Sequence, residues 1–109
     1  MPEWIEICSA ESIPPGHAAR VELGDLPIAL FNVDGRYHCL DDTCSHALAS
    51  LSEGELHPKT CAIECPLHGS QFDLRTGEPI SLPAVEPVRV HQVELRDGLL
   101  FVALNEDLG

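Results

Sequence analysis

Two short motifs constrain this chain more than anything else in it: Cys44-Ser45-His46 and Cys65-Pro66-Leu67-His68, with eighteen residues between His46 and Cys65. Each sets one thiol beside one imidazole. Facing each other as tight loops, they would offer two sulfurs and two nitrogens to one centre. The segment that holds them, Cys44 to Pro83, carries few signals of regular structure, and only Ala62 to Glu64 and Gln71 to Leu74 read as extended. A stretch that long without its own elements is unusual inside a compact domain. Something besides an apolar core must hold it. A metal centre is the natural candidate, because metal binding contributes folding free energy directly.

The flanking sequence reads as short strands. Trp4 to Cys8 alternates and suits an edge strand. Pro14, Pro15 and Gly16 break the chain, then Ala18 to Leu23 and the more apolar Pro27 to Val33 follow. Asp34-Gly35 leads into Arg36 to Leu40, and Asp97-Gly98 joins Val88 to Leu95 with Leu99 to Leu104. A two-residue Asp-Gly between strand-like runs is a strong hairpin signal, because a type I′ turn needs positive φ at both positions. No long helical period appears, and nine prolines and eight glycines spread along the chain disfavour helices. The expected class is all-β: small stacked antiparallel sheets or a sandwich.

Composition bounds the partners. Eighteen Asp and Glu against six Lys and Arg give a formal net charge of -12. Nucleic acid and anionic membrane surfaces would repel such a chain, whereas a basic patch on a protein partner would attract it. No apolar run approaches the roughly 20 residues of a membrane span. Glu3 and Glu6 stand where a signal peptide would be basic, so a soluble cytoplasmic protein is expected. Five cysteines, an odd number without a secretory signal, point to metal rather than to a disulfide framework.

Two inorganic centres fit two Cys and two His. One is a closed tetrahedral zinc site, but its usual spacing pairs Cys with Cys, then His with His ahead of a helix. Here the order is Cys, His, Cys, His among predicted strands. The other is a [2Fe–2S] centre in which two His replace two Cys on one iron, each loop giving one ligand to each iron. With two ferric ions, two sulfides, two thiolates and neutral imidazoles the core is uncharged. An added electron then costs less than in an all-cysteine cluster, and the potential rises.

The Cys-Ser-His and Cys-Pro-Leu-His-Gly-Ser motifs at this spacing resemble the Rieske cluster-binding signature. Ile13-Pro14-Pro15-Gly16, the Ile28 to Gly35 run, Ser50-Leu51-Ser52-Glu53-Gly54 and Phe72 to Pro79 extend the likeness over most of the chain. They resemble Rieske-type ferredoxins of bacterial aromatic-ring-hydroxylating dioxygenase systems, those of carbazole dioxygenases a little more than those of biphenyl or toluene dioxygenases. The resemblance implies one Rieske domain over 1-109, with a cluster-binding subdomain at about 41-83. It implies that Cys44 and Cys65 hold one iron and that His46 and His68 hold the other. The potential should then fall with rising pH once His46 or His68 loses a proton. Leu48 and Leu67 stand where respiratory relatives place a disulfide. Ser70 keeps one hydroxyl of their Gly-Ser-x-Tyr pattern, but Phe72 replaces the tyrosine. A potential at the low end of the Rieske range follows. Gly69 is expected to allow close backbone approach, and Pro83 to sit in a loop covering the cluster.

Cys61 is placed by the resemblance at the start of the strand entering the second loop, as a free thiol. Cys8 and Cys39 read as core or edge thiols, His57 as solvated, and His17, His38 and His91 as strand or turn residues. No paired His and carboxylate remain for a mononuclear oxygenase iron, so the chain is not expected to be catalytic alone. The expected role is a monomeric one-electron shuttle from a flavin-containing ferredoxin reductase to a terminal Rieske oxygenase. The alternative is a permanently bound small subunit, as in nitrite reductases, or an assembly-linked redox protein.

Overall fold

A computed structural model describes residues 3–45, 49–67, 69–82, 84 and 86–105; the others lie outside the described residues. Among the described residues nine strands follow in order: β1 (Trp4–Ser9), β2 (Ala18–Leu23), β3 (Leu26–Val33), β4 (Arg36–Asp41), β5 (Glu55–His57), β6 (Ala62–Glu64), β7 (Gln71–Asp73), β8 (Val90–Arg96) and β9 (Leu99–Ala103). Two 3₁₀ turns, Ala10–Ser12 and Leu51–Glu53, are the only helical pieces among the described residues. The strands form a six-stranded sheet, ordered β1-β9-β8-β4-β3-β2, and a three-stranded sheet, β5-β6-β7. Every pairing is antiparallel. The all-β expectation holds, and β1 lies at an edge as its alternation implied.

Both Asp-Gly pairs make hairpins. Asp34 and Gly35 have φ of 52° and 90°, and Asp97 and Gly98 have 49° and 77°, as type I′ turns require. A third two-residue turn, Gly24-Asp25, closes β2 on β3 with Leu23 opposite Leu26. Gly24 alone has positive φ there, 64°, which suits the glycine-first type II′ turn.

β3 explains its own apolar run, Leu26 to Phe31. Ala29, Phe31 and Val33 enter one apolar cluster, together with Leu40, Leu51, Ile63, Phe72 and Leu74. Ile28 and Leu30 enter a second, with Ile13, Cys39, Leu100 and Val102. Side chains two apart on a strand share a face, so β3 divides the interior and is buried on both sides. The first cluster joins the two sheets, and it contains Cys44 and Cys65. The ligand-motif cysteines are therefore mounted on a packed floor.

Candidate iron–sulfur centre

The first loop leaves β4 through Asp41 and Asp42. Asp42 is 2% exposed, and its carboxylate has three partners: Arg20 Nε donates at 3.1 Å, Ser50 Oγ at 2.6 Å and the Ser52 N–H at 3.0 Å. The Asp42 carbonyl accepts from Leu51 N–H at 2.7 Å, and Cys44 N–H donates to the Ala49 carbonyl at 3.0 Å. The two arms of the loop are thus tied at their base, where Thr43 also bridges Ser50. One buried carboxylate organises both, since a buried charge is tolerated only when it is bonded this fully.

The second loop leaves β6 directly after Glu64. Cys65 N–H donates to the Ser70 carbonyl at 2.7 Å, closing a tight loop over residues 65–70. Gly69 has φ of 71°, and a Cβ there would meet nothing nearer than Glu64 Oε2 at 3.8 Å. The positive φ is a backbone conformation that favours glycine at this position. Ser70 is fully buried, and its Oγ accepts from Ala84 N–H at 3.0 Å. That bond ties the second loop to residues flanking position 83, and it leaves the hydroxyl proton free to be donated elsewhere. Ser45 Oγ donates to the Glu86 carbonyl at 2.6 Å, so the first loop is tied to the same segment.

Cys44 and Cys65 are 5% and 1% exposed. Burial pushes the Cys65 thiol up, and a hydrogen bond with the Cys44 thiol pushes it further, against a weaker pull from the Leu67 backbone. The two thiols are therefore near enough to influence one another. As thiols they satisfy one another; as thiolates they would be two adjacent buried negative charges, stable only beside a compensating cation. This pair fits a thiolate-bound iron. His46 and His68, the nitrogen half of the expected donor set, and Pro83 lie outside the described residues. Phe72, which stands where a hydroxyl-bearing ring was expected in high-potential relatives, is fully buried in the floor beneath the two cysteines.

The remaining candidates fall elsewhere. Cys61 has φ of 55° and sits immediately before β6; its Sγ lies 3.6 Å from His38 Nε2. It is a free thiol, as are Cys8 and Cys39. His91 is buried, with Nε2 2.7 Å from Asp41 Oδ1 and Nδ1 accepting from Asn105 N–H at 2.9 Å. His57 is not simply solvated, as sequence suggested: its Nε2 lies 3.0 Å from Glu64 Oε1 and 3.4 Å from Glu55 Oε2. Pairing across β5 and β6 draws it onto the sheet. The Asp42 network escaped sequence analysis altogether. Its only trace there is a second consecutive acid at the end of β4.

A β scaffold that buries two thiols on two short loops suits a metal-centred protein. Residues 3–93 match the Rieske [2Fe-2S] domain, and the chain belongs to that family. Its cofactor is accordingly one Rieske-type [2Fe–2S] cluster. A 3-phenylpropionate/cinnamic acid dioxygenase ferredoxin subunit of Photorhabdus laumondii is 42% identical over 101 residues, covering 93% of this chain and 94% of its own. Ferredoxin CarAc of Metapseudomonas resinovorans is 41% identical, with 92% of each chain covered. Among solved structures, a complex of reduced oxygenase and oxidized ferredoxin in carbazole 1,9a-dioxygenase matches with a TM-score of 0.88 and 39% identity over 97% of each chain. The ferredoxin of carbazole 1,9a-dioxygenase from Nocardioides aromaticivorans matches with a TM-score of 0.89 and 30% identity, covering 94% of this chain and 98% of its own. A nitrite reductase small subunit from Mycobacterium tuberculosis shares the fold, with a TM-score of 0.85, at 24% identity.

Proposed function

We propose that this chain is the one-electron ferredoxin of an aromatic-ring-hydroxylating dioxygenase system. It takes electrons from a flavin-containing ferredoxin reductase and passes them to a terminal Rieske oxygenase. The observation that carries this reading is the burial of Cys44 and Cys65 in one apolar cluster, on loops that also bear His46 and His68. In this assignment Cys44 and Cys65 hold one iron, and His46 and His68 the other. The bound cluster supplies reversible one-electron chemistry. The chain's own residues do the rest: Asp42 holds the base of the first loop, and the Cys65–Ser70 and Ser70–Ala84 bonds hold the second. Residues of about 41-83 act as the cluster-binding subdomain of a single domain spanning 1-109.

Leu67 and Leu82 are 48% and 76% exposed. Leu67 immediately precedes His68, and Leu82 lies two residues before buried Ala84, which is bonded to the second loop. Together they offer an apolar rim for contact with a partner, with the acidic surface steering the encounter. None of the helices among the described residues is long and apolar enough to cross a membrane. A cytoplasmic monomer that exchanges between partners suits this role. The test is reconstitution. Substoichiometric amounts of this chain, added to a flavin-dependent ferredoxin reductase and an aromatic-ring dioxygenase, should support many product turnovers per molecule, with a rate that falls as salt rises. Product formation unaffected by adding the chain, across reductase and oxygenase pairs of carbazole and phenylpropionate systems, would refute it.

A further inference from the structure

The segment Glu55-Leu56-His57-Pro58-Lys59-Thr60-Cys61 has no part in the centre just described. The fold gives its first strand a specific placement. Glu55 pairs directly opposite Glu64 across the β5–β6 ladder, and His57, two residues on, lies on the same face as Glu55. The His57 Nε2 is 3.0 Å from Glu64 Oε1 and 3.4 Å from Glu55 Oε2, and the three ligand atoms all fall within 4.8 Å of one another. We propose that Glu55, His57 and Glu64 form a second metal site, separate from the iron–sulfur centre, that takes a divalent transition cation of the zinc type.

The distances, which also suit a hydrogen bond and an ion pair, are compatible with a shared cation. Ligand atoms each ~2.1 Å from a tetrahedral ion lie about 3.4 Å apart, close to both spacings made by His57. Only the Glu55 to Glu64 separation needs adjustment, and Glu55, whose side chain is 73% exposed, is free to rotate. One imidazole and two carboxylates form a donor set that zinc accepts, with water completing the shell. The placement also asks for positive charge. Two carboxylates directly opposite on an antiparallel pair repel one another, and a net charge of -12 concentrates cations at the surface. A bound ion would staple β5 to β6, the strand that delivers Cys65 one residue beyond Glu64.

The experiment is a calorimetric titration of the cluster-loaded protein with Zn²⁺ in chelator-treated buffer at neutral pH, with the visible spectrum followed throughout. The expected result is one Zn²⁺ bound per chain, an unchanged cluster spectrum, and a thermal midpoint that rises with Zn²⁺. Glu55→Gln and His57→Asn should each weaken binding about tenfold or more, and should abolish the thermal shift. Glu55 is exposed, so its variant folds, and its cluster spectrum verifies this. Glu22→Gln, at an exposed carboxylate paired with Arg20, should bind as the parent does. Three results would overturn the proposal: no saturable binding, which would leave His57 an ion-pair partner only; equal affinity in parent and variants; or Zn²⁺ uptake only as the cluster bleaches.

Discussion

Gly54→Ala tests how tightly the second ligand loop is registered against the rest of the fold. Gly54 ends the 3₁₀ turn Leu51–Glu53 with φ of -81°, a conformation open to any residue. Its requirement is space. A Cβ at this position would overlap the Glu64 carbonyl oxygen, and it would lie 3.0 Å from the Glu64 carbonyl carbon and 3.2 Å from the Leu51 carbonyl oxygen. These are backbone atoms, so no side chain can swing aside. Overpacking costs up to about 3 kcal/mol, and the loss of unfolded-chain freedom on replacing glycine returns about 0.4–1 kcal/mol. The net destabilisation is about 2 kcal/mol, or about 8 °C in Tm at about 4 °C per kcal/mol for a domain of this size. Glu64 precedes Cys65, so displacing its carbonyl also disturbs the loop, and cluster content should fall. The assay is a thermal melt together with the ratio of visible to protein absorbance. Gly16→Ala is the control: Gly16 has φ of 84° with nothing within 4 Å of an added Cβ. It pays only the conformational cost, about 1 kcal/mol net, and should keep its cluster. If Gly54→Ala melts within about 2 °C of the parent with full cluster content, the packing of Gly54 against Glu64 does not register the loop as described.

Other consequences follow from single contacts. Ser70→Ala strands the Ala84 N–H in a buried site, so Tm should drop by an amount corresponding to about 1–3 kcal/mol. If the free Ser70 proton reaches the cluster, the potential measured by voltammetry should fall as well. Asp41 is pushed up by burial, but bonds from His91 and Arg89 outweigh this and hold it below its usual 3.8. Its folded value is the lower one, so its stabilisation is fully present above the unfolded value of 3.8 and is lost as pH falls through the folded value. Asp41→Asn should therefore weaken the protein at neutral pH and flatten its acid limb below pH 3.8 in denaturation profiles. Burial pushes the Cys61 thiol up, with Arg75 pulling only partly back. Alkylation of Cys61 at neutral pH should be slower than that of an unstructured cysteine and should accelerate as pH rises; fast neutral labelling would contradict the thiol state described.

Much of this was legible because it rests on local rules. Asp34-Gly35 and Asp97-Gly98 announce their turns through the need for positive φ, and the strands they join follow within two residues of where alternation ends. Cys44, His46, Cys65 and His68 stand out through spacing and order alone. What escaped depends on contacts distant in sequence. β5 is three residues long, two of them polar, and ends just before Pro58; it becomes a strand only because β6 lies beside it. His57 reads as a solvated loop residue until that pairing places it against Glu64. Asp42 looks like a surface acid, yet it is buried because Arg20 from β2 and Ser50 and Ser52 at the turn Leu51–Glu53 arrive to satisfy it. Gly69 also has a positive φ, which its sequence position alone did not reveal. The apolar character of Pro27 to Val33 was visible, but the division of β3 between two cores required the second sheet.

The central claim is that two imidazoles and two thiolates share one [2Fe–2S] cluster on Cys44, His46, Cys65 and His68. The most direct measurement is pulsed EPR of the reduced protein, prepared with and without ¹⁵N-labelled histidine. The account predicts two strongly coupled nitrogens that change with the label and thus arise from histidine. Replacing His46 or His68 with cysteine should remove one of them. A reduced cluster with no strongly coupled histidine nitrogen, or a parent spectrum unaltered in both variants, would contradict it.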